Sequence, residues 1–326
     1  MKTGKLPNSL LDKIIIEPIN KHSVKRSEVM LKPSIGEDCA ALNMGDNICL
    51  LSTDPITGAV ENIGRLAINI NTNDIASSGG EPVGIMVTAL FPPSITEGEI
   101  SQIVTELYEE AEKVNVAILG GHTEITDAVN KPVLSCTVIG KTRKLITSAG
   151  ARAGDYVVMT KYAGLEGTAI FAHDRGELLK NVDKSVVERA KKFSESLSVI
   201  KEGKAAAKEG AHAMHDVTEG GILGACWEVA DCAGLGIEVY ADKIPVREET
   251  KIICDELGVD YRRLISSGSM LIICENGDKM TAAIEKEGIN ASVIGRITDE
   301  GRYIIENGCK YVLEEPGADE LYKVVK

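Results

Sequence analysis

Residues 69–82 read NINTNDIASSGGEP. They sit at the end of an apolar stretch whose spacing predicts a helix over residues 60–78. Yet the stretch carries Asn69, Asn71, Asn73 and Asp74 and runs into a glycine pair. Asn and Asp are poor interior helix residues because their side chains compete with the backbone for hydrogen bonds. A helix that only packs against a core would carry leucine and alanine here, so the amides and the carboxylate need another reason.

Working outward, the flanks read as alternating strands and helices. ICLLSTD (48–54) is a buried strand ending on a carboxylate, and VGIMVTAL (83–90) is a second strand. Thr96 and Glu99 form a T-x-x-E capping box. Ile100, Ile103, Val104, Leu107, Tyr108 and Ala111 follow it at helical spacing. VAIL (116–119) and VLSCTVIG (133–140) are further strands, and a helix over 8–17 closes before Pro18. The basic, glycine-containing segment 141–155 has no sustained apolar period and reads as a junction, dividing the chain into domains of residues 1–145 and 150–326. Beyond it come a strand (156–160), a helix near 165–173, a long helix near 184–200, and the segment HDVTEGGILGACWEVADCAG (215–234). Then follow a strand at 237–240, a helix near 248–257, a strand at 270–275, a helix near 277–287 and a strand near 292–297. Asn307-Gly308 closes a hairpin with a type I′ turn, and a short helix ends the chain near 317–324.

Composition narrows the function. The 326 residues suggest about two domains, and hydrophobic residues make up 44%. Asp and Glu number 49 against 36 Lys and Arg, a net charge of −13. That balance disfavours nucleic acid and demands metal ions or local dipoles for any polyanionic ligand. No run of about 18 apolar residues and no signal core appears, so the expected location is the cytoplasm, with no membrane partner. The eight cysteines contain no C-x-x-C pair and read as buried free thiols. His212 and His215 sit three apart and share a helix face on this reading, as solvated or capping residues.

Familiar motifs fail. SCTVIGKT (135–142) has serine at the first Walker position and reads as a strand; G-x-G-x-x-G, G-x-S-x-G and H-E-x-x-H are absent. What remains is five acidic or glycine-rich junctions: SIGEDCAAL with Glu37 and Asp38, LLSTDPITG with Asp54, the opening stretch with Asn73 and Asp74, ILGGHTEIT with Gly120, Gly121, His122, Thr123 and Glu124, and HDVTEGGI with Asp216, Thr218, Glu219, Gly220 and Gly221. A lone Asp after a strand is commonly a turn or helix cap. Five such junctions converge more readily at one end of an α/β sheet, where ligands bind. A pair of like charges about 4 Å apart costs about 4 kcal/mol at an effective dielectric of 20. Magnesium, which bridges carboxylates to substrate phosphates, relieves that repulsion. On this reading Asn73 and Asp74 face a nucleotide–metal site rather than the core.

GEDCAAL, STDP, NTNDIASSGGEP, ILGGHTE, DVTEGGILGA and SSGSMLI occur in an order that resembles the aminoimidazole-ribonucleotide synthetase (PurM-like) superfamily. The likeness is greatest to HypE-like hydrogenase expression/formation proteins, through GKLP, GLEGTAI (164–170) and DVTEGG. The resemblance implies an α/β (α+β) fold of two domains, a homodimer whose N-terminal sheets pair into a barrel, and ATP with Mg2+ as cofactors. It implies Asp38, Asp54 and Asp74 as metal and phosphate carboxylates. It implies nucleotide contacts from Asn73, Gly120, Gly121, Thr123, Gly220, Gly221 and Lys5, the last a mobile phosphate contact. Catalytic roles fall to Asp74, Asp216, Glu219 and His122. The implied chemistry is ATP-dependent phosphorylation of an amide-like or carboxylate oxygen, which makes that oxygen leave as phosphate.

Two departures matter. HypE-like proteins carry the substrate on a C-terminal cysteine, whereas this chain ends DELYKVVK and its last cysteine, Cys309, falls in the predicted hairpin. The acceptor is then expected on another molecule, such as a maturation protein, or is a different compound. His122 stands where purine-synthesis relatives are expected to have glutamate, which disfavours that role. Three readings stay open: a HypE-like amide-activating enzyme, a small-molecule kinase or synthetase of selenophosphate or thiamine-phosphate type, and a non-catalytic nucleotide-binding assembly partner.

Overall fold

The computed structural model of the chain describes residues 7–22, 26–31, 33–57 and 61–324. Two short helices, α1 (Asn8–Leu11) and α2 (Glu17–His22), flank a π-helical turn over Asp12–Ile16. The helix expected to stop before Pro18 thus runs on to His22. The wider turn accommodates a proline that donates no backbone hydrogen bond.

Then come β1 (Val29–Leu31), β2 (Ala40–Asn43), β3 (Ile48–Ile56), α3 (Ile63–Ser77), β4 (Glu81–Phe91), α4 (Glu97–Lys113), β5 (Ala117–Ile125) and β6 (Val133–Thr142). Their strands form a six-stranded sheet in the order β1-β2-β3-β6-β4-β5. Only the β4–β5 pair is parallel, joined through α4. Thr96 and Glu99 make the predicted capping box: Glu99 N–H donates to Thr96 Oγ1 at 3.2 Å and Thr96 N–H to Glu99 Oε2 at 2.7 Å. One sheet face is buried, with Leu50, Ile85, Leu134, Cys136 and Val138 in the core with residues of α3 and α4. Elsewhere Val83, Met86, Ile118, Leu119 and Ile125 stay exposed.

After the junction the elements are β7 (Tyr156–Thr160), α5 (Leu165–Asp174), α6 (Lys184–Lys191), α7 (Ile200–Glu209), β8 (Ala213–Asp216), α8 (Gly221–Cys232) and β9 (Gly236–Tyr240). They continue with α9 (Glu248–Leu257), β10 (Met270–Cys274), α10 (Gly277–Glu285), β11 (Ala291–Thr298), β12 (Arg302–Glu306) and β13 (Cys309–Val312). The second sheet has the order β13-β12-β9-β11-β7-β10-β8. Both faces are covered. Val157, Met159, Leu271 and Ile273 pack with α8 residues, while Val158, Met270 and Ile272 pack with residues of α7 and α10. The period of two along β7 and β10 makes that division. Asn307 and Gly308 take φ of 50° and 75°, as the hairpin turn requires.

Four further expectations shift. The helix predicted over 184–200 breaks: α6 ends at Lys191, a 3-10 turn covers Lys192–Ser196, and α7 starts at Ile200. Serines 194, 196 and 198 offer the backbone competing hydrogen bonds there. His212 and His215 flank and occupy β8 rather than a helix face. The strand predicted at 116–119 runs through the glycines to Ile125, and the closing helix is a 3-10 turn over Glu320–Lys323. No helix among the described residues is long and apolar enough to cross a membrane.

Candidate functional site

The helix that carries the opening stretch is buried almost all round; of Ile63–Ser77 only Arg65 is outside the buried class. Each polar residue on it therefore meets a different neighbour. Asn69 donates to Glu110 Oε1 on α4 at 2.9 Å. Asn71 Oδ1 accepts from Asp54 N–H on β3 at 3.0 Å. Asn73 reaches the second half, donating to the Leu197 carbonyl at 2.8 Å and accepting from Val199 N–H at 2.9 Å. Asp74 faces a cleft of about 1310 Å3 between the two sheets.

Asp38, Asp54, Asp74 and Asp216 line that cleft, with Glu37, Glu219 and Glu228 beside them. Asp38 precedes β2, Asp54 lies within β3, Asp74 is on α3, and Asp216 ends β8. Ligand atoms of Asp38, His215 and Asp216 lie within 4.8 Å of one another. Asp74 is 4% exposed, and its carboxyl accepts a short hydrogen bond from Ser52 Oγ. Burial pushes the Asp74 pKa well above the carboxylate range, and Asp216, Asp54 and Asp38 push it further, against Ser52. Burial likewise lifts Glu37 to about 7, with Asp38 adding to it.

His215 spans the junction between the halves. Its Nδ1 pairs with Asp38 at 2.9 Å and its Nε2 with Glu228 at 3.1 Å. Burial alone would lower its pKa, but the Asp38 and Glu228 carboxylates raise it well above the usual value. With both ring nitrogens engaged, His215 orients Asp38 rather than offering a lone pair to a metal. Ser77 Oγ donates to Asp38 Oδ2 at 2.7 Å, holding the other side of that carboxylate.

A hard divalent cation takes oxygen ligands. The carboxylates gathered here supply them, and after burial itself the repulsion of Asp216, Asp54 and Asp38 adds to the rise in the Asp74 pKa. The donor set fits magnesium. Lys131 and Arg175 line the same cleft and bring cationic groups to it.

The other expected residues fall elsewhere. His122, Thr123 and Glu124 lie on the exposed strand β5, and His122 pairs only loosely with Glu124 at 3.6 Å. Gly120 and Gly121 lie in the pairing of β4 with β5: a Cβ on Gly121 would sit 1.8 Å from the Val87 carbonyl oxygen, whereas one on Gly120 would meet nothing within 4 Å among the described residues. Gly221, at φ 62°, packs so closely on the 262–264 backbone that a Cβ would meet Arg262 O at 2.6 Å. Gly220 N–H donates to Asp319 at 2.6 Å, and Tyr322 donates to Glu219 at 2.8 Å, so this turn is closed by the C-terminal segment. Lys5 lies outside the described residues.

Sequence reasoning passed over Ser52, Ser77 and Glu228 and read His215 as a solvated or capping residue. Two of these were readable by period: Ser52 shares a strand face with Asp54, and Ser77 follows Asp74 by about one helical turn.

Two sheets with an acidic cleft between them define an α/β protein suited to holding a polyanion with divalent cations. A model of the AIR synthase related protein N-terminal domain matches residues 36–142, and one of its C-terminal domain matches residues 152–306. The chain belongs to the AIR synthase-related family and is HypE-like. It is 28% identical to a putative hydrogenase expression/formation protein of Methanocaldococcus jannaschii, over 93% of this chain and 90% of that one. It is 26% identical to carbamoyl dehydratase HypE of Escherichia coli, over 83% and 81% of the two chains. A hydrogenase maturation protein HypE solved in complex with ATP shares the fold, with a TM-score of 0.73, 19% identity and 98% of each chain covered.

Proposed function

We propose that this protein is a cytoplasmic Mg-ATP-dependent enzyme that phosphorylates an amide-like or carboxylate oxygen, acting in [NiFe]-hydrogenase-type protein maturation. The observation that carries this reading is the convergence of Asp38, Asp54, Asp74 and Asp216, from four separate segments, on one cleft. The names of its relatives agree with it: a carbamoyl dehydratase removes water from a carbamoyl group, and one HypE binds ATP.

Magnesium bound there supplies positive charge to the carboxylates and to the phosphate oxygens. Asp54, fixed through its backbone by Asn71, and Asp74, fixed by Ser52, present oxygen ligands on rigid elements. His215 and Ser77 orient Asp38. Lys131 and Arg175, which line the cleft, would supply further positive charge to the phosphate oxygens. The domains are residues 1–145, which supply Asp38, Asp54 and Asp74, and 150–326, which supply Asp216. A second copy pairs through the exposed apolar residues of β4 and β5 and covers Gly120–Glu124 as part of the same barrel. The acceptor arrives on a maturation protein.

Calorimetric titration with a non-hydrolysable ATP analogue tests the site. Binding should require magnesium, and Asp54→Asn or Asp74→Asn should each weaken it by at least about tenfold, the loss of one charged contact. Parent-like affinity in both variants overturns the assignment.

A further inference from the structure

The basic junction at 141–155 takes no part in the cleft; none of its residues lines it. The fold sets its exposed Arg143 and Lys144 beside a second basic surface. Ile146 N–H donates to the Ser78 carbonyl at 3.2 Å, just past the end of α3. Helix α7 rests on the same end: a Cβ on Gly203 would lie 2.6 Å from the Ala76 carbonyl oxygen. Ile146, Ala76 and Ala206 share one apolar cluster, so the junction and α7 are neighbours.

Helix α7 buries Glu202, Gly203 and Ala206, and Glu202 is taken up by Lys161 Nζ at 2.6 Å. Its outer face carries Lys201, Lys204 and Lys208, all exposed, at i, i+3 and i+7, a row about 10 Å long. The neighbouring α10 pairs Lys279 with Glu209 and is followed by the exposed Lys286. The hydrogen bond from Lys279 lowers the Glu209 pKa, and the charges of Lys279, Lys286 and Lys208 lower it further. These lysines thus gather around a single carboxylate. The α10 carboxylates Asp278 and Glu285 stand one residue before Lys279 and Lys286, about 100° around the helix from the side that meets α7. Lys201 lies in the first turn of α7, where the helix dipole disfavours a cation. Helix stability therefore does not account for it.

We propose that the outer face of α7, with Lys286 and the Arg143–Lys144 segment, docks an acidic helical segment of a partner protein. The inference goes beyond the nucleotide reading and stands apart from it. In a chain of net charge −13, this face is where an acidic partner approaches with attraction rather than repulsion. Glutamates at i, i+3 and i+7 of a helix fall on one face and match the lysine row. Ala205 and Ala207, half-buried between the lysines, leave room for a second helix to come close. Nucleic acid fits less well. IKEGKAAAKE and GDKMTAAIE contain no aromatic residue to stack a base. Lysine lacks the planar fork that pairs with phosphate through two bonds, and the overall charge repels a long phosphate backbone.

Fluorescence anisotropy on the full chain tests the surface. The probe is a labelled alanine-based helical peptide with glutamates at i, i+3 and i+7. Its controls are the same peptide with glutamines and an oligothymidylate of equal charge. At low salt the glutamate peptide should bind at least about tenfold tighter than either control, as several exposed ion pairs together supply, and salt should weaken it. Lys201→Glu with Lys208→Glu should cost at least about tenfold. Lys184→Glu with Lys192→Glu changes the net charge equally on exposed residues at α6, and should cost less than about threefold. Lys201→Gln with Lys204→Gln, expected to weaken the peptide severalfold, serves if the reversed variant does not fold. Equal binding of the glutamate and glutamine peptides overturns the proposal. So does an oligothymidylate that binds as tightly, or an equal loss in the two charge-reversed variants. A dimer in sedimentation that Lys201→Glu with Lys208→Glu converts to monomer gives the face to a second copy of the chain and overturns it as well.

Discussion

Replacing Asn73 by alanine separates two explanations of the same residue. As a phosphate contact, Asn73 would matter to ligand affinity and little to stability. Its side chain is instead fully buried and bonded to Leu197 O and Val199 N–H, both on residues that are themselves buried. Alanine leaves one carbonyl and one N–H without partners. At about 1–3 kcal/mol for each orphan, the loss is about 2–6 kcal/mol, a large share of a total stability of about 5–15 kcal/mol. Urea denaturation followed by circular dichroism should show the midpoint fall sharply. Calorimetry at low temperature, where the variant stays folded, should show nucleotide affinity within about twofold of the parent, because Asn73 does not line the cleft. A variant with a parental midpoint and lost nucleotide binding would refute this account and restore Asn73 to the phosphates.

Stability should also depend on pH through Glu166. Its folded pKa of about 7 lies above the ordinary 4.5, so the folded chain holds a proton that the unfolded chain releases. Stability then falls as pH rises from about 4.5 to 7, by up to about 3 kcal/mol, and is level above that. Glu166→Gln should flatten this slope in denaturation curves taken across the window. Met86→Glu places a charge on the exposed apolar part of β4, and sedimentation should show it shifting the proposed dimer to monomer without lowering the melting temperature of the fold.

The sequence showed most of the architecture because period and capping are local. The α4 capping box, the strands around residues 48–54 and 133–140, and the Asn307-Gly308 turn are all specified by near neighbours. The site was legible where a carboxylate stood at the same point in sequence and in the cleft, as with Asp38, Asp54, Asp74 and Asp216. It was not legible where the partner is far along the chain. Asn73 and Asp74 are adjacent, yet one turns 100° around the helix to a backbone some 124 residues away. Gly121 looks like part of a ligand turn, but a close approach of the Val87 carbonyl across the sheet also requires a glycine there. Glu166 sits in an apolar helix start, and its hydrogen-bond neighbour Ser267 lies far along the chain.

The two halves also hold the site together against its own charge. Asp38, Asp54 and Asp74 come from the first half and Asp216 from the second, so their repulsion acts across the junction. Among the contacts that oppose it are the Asn73 clamp and His215, which carries positive charge from β8 to Asp38. Cations in the cleft would remove the repulsion that these contacts resist, so ligand binding and docking of the halves are coupled. Asp216→Asn removes one of the opposing charges. Without ligand it should melt higher than the parent, and with magnesium and the nucleotide analogue it should gain less, since stabilisation by a ligand follows its affinity. Calorimetric melting of both proteins, with and without ligand, measures the difference. A variant that melts below the parent in the absence of ligand would show that Asp216 is held by attraction rather than against repulsion, and the charge argument for the cleft would fail.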